Sequence, residues 1–251
     1  MKDKILLPLG GKELLLRMAE RVSASRYGKD IIIATTKNRN DDLIVDLCKS
    51  NGLLYFRGDE HDLLDRHYHA SLFFDADVVA KIPSDCPLID PLIIDKVFDY
   101  FFDNFDKYDF VSNLHPATYP DGNDVEIMKI QTLETAWRKA KENYQREHTT
   151  PYIWDNPGLF RIGNVEWETG FDYSMTHRYT IDYKDDYNFI KKVFEELYPV
   201  NPVFGLKDIL ALIDKRKPEL KKINEKYLGV NWYRNHLRKL KTVKPEQTKI
   251  I

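Results

Sequence analysis

Cysteine is nearly absent: 251 residues carry two, Cys48 and Cys86, too few for a disulfide framework. No stretch resembles a signal peptide and no apolar run is long enough to span a membrane, so a cytoplasmic protein is expected. An excess of either charge is missing as well. With 38 Lys and Arg against 40 Asp and Glu, the formal net charge is −2, and no global field attracts nucleic acid or an anionic membrane. Any anion site must be local. Repeats and low-complexity tracts are absent. Cys86 has no histidine or basic residue in its own block to lower its pKa, which argues against a thiolate nucleophile.

A chain of this length can bury a full core, as one large domain or a domain with an insertion. Its organising stretch is VVAKIPSDCPLIDP at 78–91. Val78, Val79, Ala80 and Ile82 suit a strand buried in a parallel sheet. Pro87 and Pro91 forbid a continued ladder, which leaves Ser84 and Asp85 at the strand's carboxyl end. Ligands of open α/β sheets bind at that edge. Asp85 is therefore a candidate metal ligand, with a turn aspartate satisfying nearby N–H groups as the plain alternative.

Upstream, residues 4–9 form an extended apolar run. Gly10-Gly11-Lys12 then turns into a helix with Leu14, Leu15, Met18 and Val22 at helical spacing. Strands at 31–35 and 53–56 alternate with helices near 42–51 and from about 62, where Asp62, Asp65 and Arg66 lie. This alternation predicts a parallel, doubly wound sheet. After a helix at 93–106 the rhythm changes. Residues 108–178 read as an insertion with substrate contacts. Its Phe110, Tyr119, Tyr152, Trp154, Phe160 and Trp167 are more aromatic surface than a small arm buries alone, so a homodimer is expected. RYTID at 178–182 is another short strand ending in a carboxylate. Residues 216–251 read as a helical basic tail, a charge run of the kind that is usually solvated.

Six ordered blocks carry a family resemblance over roughly 4–215: LLPLGGK at 6–12, FRGDEHDLLDRHY at 56–68, the SDCPLIDP run, YPDGNDVE at 119–126, REHTTPYI at 146–153 and RYTID. The chain resembles the cytidylyltransferase family that includes the spore coat polysaccharide protein F group, relatives of enzymes that make CMP-activated acidic sugars. The resemblance implies an α/β, Rossmann-like nucleotide-diphospho-sugar transferase fold, mostly parallel, with an inserted antiparallel arm. It implies CTP and a sugar as substrates and Mg²⁺ held by Asp85 and Asp182. The family opens with a first strand and a phosphate loop resembling QARMGSTRLPGK, of which only the final lysine is matched, by Lys4. A cytidylyltransferase-like domain over 1–215, incomplete at its front and nearly inactive as given, is the expectation.

By the same resemblance Lys4 joins the two aspartates as catalytic. Lys12, Arg57, Ser84, Asp65 and Arg66 are candidates for the nucleotide, and Tyr119, Asp121, Glu126, Arg146, Glu147, His148 and Arg178 for the sugar. Each has a plain alternative. Lys12 is a surface lysine at a helix start; Arg57 pairs with Asp62 or Asp65; Asp121 and Asp124 serve a turn; Arg146, Glu147 and His148 form a structural ion-pair cluster. Two rival functions remain: a nucleotide-sugar glycosyltransferase, whose D-x-D signature ought to follow a strand whereas DAD at 75–77 precedes one, and a non-catalytic scaffold dimer.

Overall fold

The computed structural model describes residues 3–251. Its larger sheet begins at an edge with the strand β5 (Val78–Lys81), whose neighbour β7 (Glu126–Lys129) runs antiparallel to it. Next come β6 (Phe110–Ser112), antiparallel to β7, and β8 (Ile162–Asn164), parallel to β6. The stretch expected as an inserted arm therefore supplies three strands of the central sheet. Apolar side chains dictate this: Phe110, Val111, Ile127 and Met128 are fully buried, and a separate small arm has no core to take them.

A second, parallel pair is formed by β3 (Ile32–Thr36) and β4 (Leu54–Gly58). Among the described residues β3 and β5 share no ladder. Ile32, Ile33 and Ala34 instead face Val78, Val79 and Ala80 across a cavity of ≈ 1180 Å³. Both strands are consequently only half-buried although as apolar as β6. The sheet is mixed rather than mostly parallel. RYTID is extended but too thinly paired to be a strand, joined by one bridge between Arg178 and Asp121. Residues 4–9 divide into a 3-10 turn, Lys4–Leu6, and the two-residue strand β1 (Pro8–Leu9), which pairs with β2 (Lys12–Glu13).

Helices cover the sheet. In α4 (Pro91–Asp103) the N-cap side chain of Asp90 accepts from the amide of Leu92 at 2.8 Å and Pro91 takes the first turn. Ile93, Ile94, Val97 and Phe101 then line one face and join the main core with α8 (Lys184–Leu197) and α9 (Leu206–Ala211). A second cluster lies where α3 (Leu63–Phe73), α5 (Ile130–Lys139) and α7 (Pro151–Trp154) meet.

Residues 216–251 form short 3-10 turns rather than a helical tail, and they are not a solvated appendage. Leu240 and Val243 are buried in that second cluster. The Asp155 carboxylate, 3% exposed, accepts from the amides of Lys241 and Thr242 and from the Thr242 hydroxyl at 2.8–2.9 Å. Replacing it leaves buried donors unpaired. We expect Asp155→Ala to cost about 1–3 kcal/mol in urea unfolding and to open residues 232–251 to limited proteolysis; wild-type resistance to protease would refute this anchoring.

Candidate active site

Lys81 ends β5, and Ser84 and Asp85 follow it at the rim of the cavity. The amide of Ile181 donates to the carbonyl of Asp85 at 2.9 Å, which sets Asp182 beside Asp85. The two carboxylates converge on one cation, the Lys4 ammonium. Its Nζ lies 2.7 Å from Asp85 Oδ2, 3.3 Å from Asp182 Oδ1 and 2.6 Å from the Ile181 carbonyl. Against the cost of burial, Asp85 and then Asp182 hold the ammonium above its ordinary range. Lys4 and Arg178 outweigh burial at Asp182 and keep it below the usual carboxylate range.

This pair suits a hard divalent ion. Its donors are all oxygens and already surround a cation, and two protein carboxylates leave the rest of an octahedral shell to phosphate oxygens and water. Among the described residues no third His, Cys, Asp or Glu completes a metal cluster.

Behind the pair, the loop before β7 brings Asp121 and Asp124, and the first residue of β7 brings Glu126, to the cavity. Gly122 makes this possible: its φ is +104°, and a Cβ there would come within 2.7 Å of the Tyr179 backbone. Glu126 is matched by Lys81 at 3.3 Å and by the Thr150 hydroxyl at 3.1 Å. Arg178, 1% exposed, binds Asp121 at 3.1 Å, Asp182 at 2.7 Å and Asp186 at 3.0 Å. Asp124 accepts from the Gly122 amide at 3.2 Å; among the described residues no cation reaches ion-pair distance of it. Burial first, and then Glu126 and Asp85, push its pKa up to about 6, with the Gly122 amide and the charge of Lys81 opposing.

Aromatic rings close the far wall. His148 stacks on Trp232 with centroids 3.8 Å apart, and His115 stands 4.3 Å from Trp154 and near Tyr233. Burial, then Lys81, lowers both imidazoles to about 3, so both are neutral at physiological pH.

Of the residues expected at the site, Asp85, Asp182, Ser84, Arg66, Tyr119, Asp121, Glu126, Glu147, His148 and Arg178 line the cavity. Four do not. Lys12 pairs with Glu20 at 2.5 Å on the surface, Arg57 with Asp42 and the Thr36 carbonyl, Arg146 with Asp62 and the Trp137 carbonyl, and Asp65 with the Trp137 indole. Lys81, His115, Trp232 and Tyr233 were not expected there. The one local signal for the last two is an aromatic pair interrupting a basic run.

The sequence model of the family described as cytidylyltransferase matches residues 1–210. This chain belongs to the cytidylyltransferase family. It is 38% identical over 224 residues to the protein MJ1063 of Methanocaldococcus jannaschii, covering 89% of this chain and 88% of that one. It is 32% identical to the spore coat polysaccharide biosynthesis protein SpsF of Bacillus subtilis, over 86% of this chain and 89% of the relative. The solved cytidylyltransferase of Leptospira borgpetersenii superposes with a TM-score of 0.80 at 32% identity, covering 86% and 89% of the two chains. The fold is thus the nucleotide-sugar transferase fold of cytidylyltransferases. Trp232 and Tyr233 lie beyond the residues that the family model matches.

A divalent ion has to displace the Lys4 ammonium to reach both carboxylates. Two like charges about 4 Å apart repel by about 4 kcal/mol at an effective dielectric of 20, so Lys4→Met should tighten binding of Mn²⁺ or Tb³⁺ at least about tenfold. Terbium luminescence titration reads this directly, and an unchanged affinity would place the ion elsewhere.

Proposed function

We propose that this cytidylyltransferase moves a cytidylyl group from CTP to a sugar hydroxyl, which attacks the α-phosphate while pyrophosphate leaves. The observation that carries the reading is the pair Asp85 and Asp182, closing on one cation at the carboxyl end of β5. Mg²⁺ held there would offset phosphate charge and align nucleophile with leaving group. The chain's own residues do the positioning. Arg178 fixes Asp182 and Asp121 from within the core, and Ser84 and Arg66 line the nucleotide side. Tyr119, Asp121, Glu126, Glu147 and His148 line the acceptor side. His148, neutral and of low basicity, is suited to orient an acceptor hydroxyl and poorly suited to be the general base. The name of the Bacillus relative supports a setting in surface polysaccharide synthesis, in the cytoplasm where nucleotide sugars are made.

A triphosphate needs more donors than the described residues of this cleft offer. Lys4 is held by two carboxylates, while Lys12 and Arg57 turn away to Glu20 and Asp42. Loss of one preorganised donor costs about 10²–10³ in rate, so residues 1–251 alone should release little pyrophosphate from CTP, Mg²⁺ and a sugar. A version carrying a loop like QARMGSTRLPG ahead of Lys4 should turn over. In that version Asp85→Asn should lose about 10²-fold or more in kcat. Robust turnover by 1–251 would mean that other residues hold the phosphates.

A homodimer belongs to this reading, though not for the reason the aromatic count suggests. Phe110, Tyr119, Trp154 and Phe160 are buried within the chain, whereas Leu159 and Phe171, 47% and 58% exposed, remain on the surface. Light scattering at tens of micromolar, about the range in which a standard-size interface fills, should give twice the chain mass; a monomer there counts against the dimer.

A further inference from the structure

The segment after residue 223 lies outside the stretch that the family model matches, yet its polar contacts gather on one short block of the site. Asn224, 2% exposed, donates from Nδ2 to the Arg178 carbonyl and to Asp186 Oδ1, both at 3.1 Å. The Val230 carbonyl accepts from the Arg178 guanidinium. Tyr227 lies flat on Tyr183, with ring centroids 3.7 Å apart and planes 3° from parallel. Lys226 pairs with Asp185 at 2.9 Å, and Arg234 donates to the Tyr183 hydroxyl at 3.2 Å. Residues 178, 183, 185 and 186 flank one position, and that position is Asp182.

Asp186 carries these contacts inward. Its carboxylate, wholly buried, accepts on Oδ2 from the amides of Asp182 at 3.1 Å and Tyr183 at 2.9 Å, and on Oδ1 from Arg178 and Asn224. The two amide bonds fix the backbone of Asp182 as the chain enters α8, while Arg178 holds its side chain at 2.7 Å. Burial does not hold Asp182, whose side chain is 49% exposed, and no strand ladder among the described residues includes it. Apart from the bond between Ile181 and Asp85, hydrogen bonds from behind decide where its carboxylate stands. A metal ligand is aimed by such outer partners, and their loss weakens metal binding even when every ligand remains.

We propose that residues 224–234 position Asp182 for the divalent ion, with Asn224 as the positioning residue that ties Asp186 to the Arg178 backbone. The inference rests on the cytidylyl-transfer reading, in which Asp85 and Asp182 share that ion, and gives the C-terminal segment a part in the metal centre. A segment that only covered the core would be held by apolar burial, as Leu240 and Val243 are. Asn224 is instead buried against one carboxylate and one carbonyl of the block, both of which it satisfies.

Two readouts separate positioning from stability alone. The first needs no metal: in Asn224→Ala the amides of Asp182 and Tyr183, followed by NMR, should exchange hydrogen at least about tenfold faster, while those of α4 keep their rates. The second is terbium luminescence titration, in which Asn224→Ala should weaken binding about tenfold, the lower end of the loss that follows removal of an outer partner. Leu133→Ala, a cavity-forming change at a wholly buried position of α5 in the second cluster, is the stability control. It should lower the urea midpoint and leave terbium affinity unchanged. Tyr227→Ala removes the stack on Tyr183 at a half-buried position and should move both readouts in the same direction, which keeps the test decisive if Asn224→Ala does not fold. Unchanged exchange or unchanged terbium affinity in the folded variants, or an equal loss of affinity in Leu133→Ala, would overturn the proposal. Asp182→Asn checks the reading beneath it: terbium affinity unchanged there would overturn the shared-ion assignment, and the exchange rates alone would then decide whether the segment positions Asp182.

Discussion

The arrangement of the cleft depends on one buried guanidinium. Arg178 is 1% exposed and touches three carboxylates and a carbonyl that belong to four parts of the chain: Asp121 on the loop before β7, Asp182 at the cation pair, Asp186 at the start of α8 and Val230 in the C-terminal segment. Desolvating an arginine is expensive, and only close, fully bonded geometry compensates it. The carboxylates achieve this, holding its pKa above the ordinary range despite burial. Asn224 adds a bond to the Arg178 carbonyl at 3.1 Å and a second to Asp186. Removing Arg178 would leave Asp186, wholly buried, without its counter-charge, so the site and the fold share this residue.

From that constraint follows the polarity of the cavity. Because Arg178 faces inward and Lys81 is matched to Glu126, these two cations at the Asp121 and Glu126 end of the cavity neutralise the protein's own carboxylates. The carboxylates left over, Asp124 above all, give that end a negative character. The rim differs, since there Asp85 and Asp182 already enclose a positive group. One cleft thus presents a cation-holding mouth and an acidic, aromatic interior, and a substrate has to suit both.

Much of this was legible in the sequence where a local rule applies. Proline after a short β-branched run placed Asp85 at a strand end, and aspartate before proline capped α4. The ordered blocks located Asp182, Arg178 and the 119–126 turn. What escaped has a common cause, namely long-range packing that local patterns do not encode. Arg57, Arg146 and Asp65 look like ligand-binding residues, yet each is consumed by a partner from a distant element. A charge count of residues 216–251 describes a solvated tail, whereas Leu240, Val243 and the bonds to Asp155 decide its course. The strands of 108–178 read as an arm because hydrophobic pattern gives strand identity without giving the neighbour.

The unpaired edges of β3 and β5 set a last constraint. In a continuous sheet, ladder hydrogen bonds fix the relative height of neighbouring strands, so groups at their carboxyl ends are held in register. Here the described ladders stop at β3 on one side and at β5 on the other, and the apolar faces between them line the cavity. The position of the β3 and β4 pair relative to Asp85 therefore rests on helix packing, in which α1 (Leu14–Ser23) touches α4 and α3 touches both β3 and β4. Side-chain packing without a ladder is the softer connection, and Arg66, carried on α3, sits on that side of the gap. The end lined by Asp121, Asp124 and Glu126, by contrast, is built on β5, β7 and Arg178, within one hydrogen-bonded unit. The position of Arg66 relative to Asp85 and Asp182 is thus the weaker coordinate of this cleft, and the geometry around Asp124 and Glu126 the firmer one.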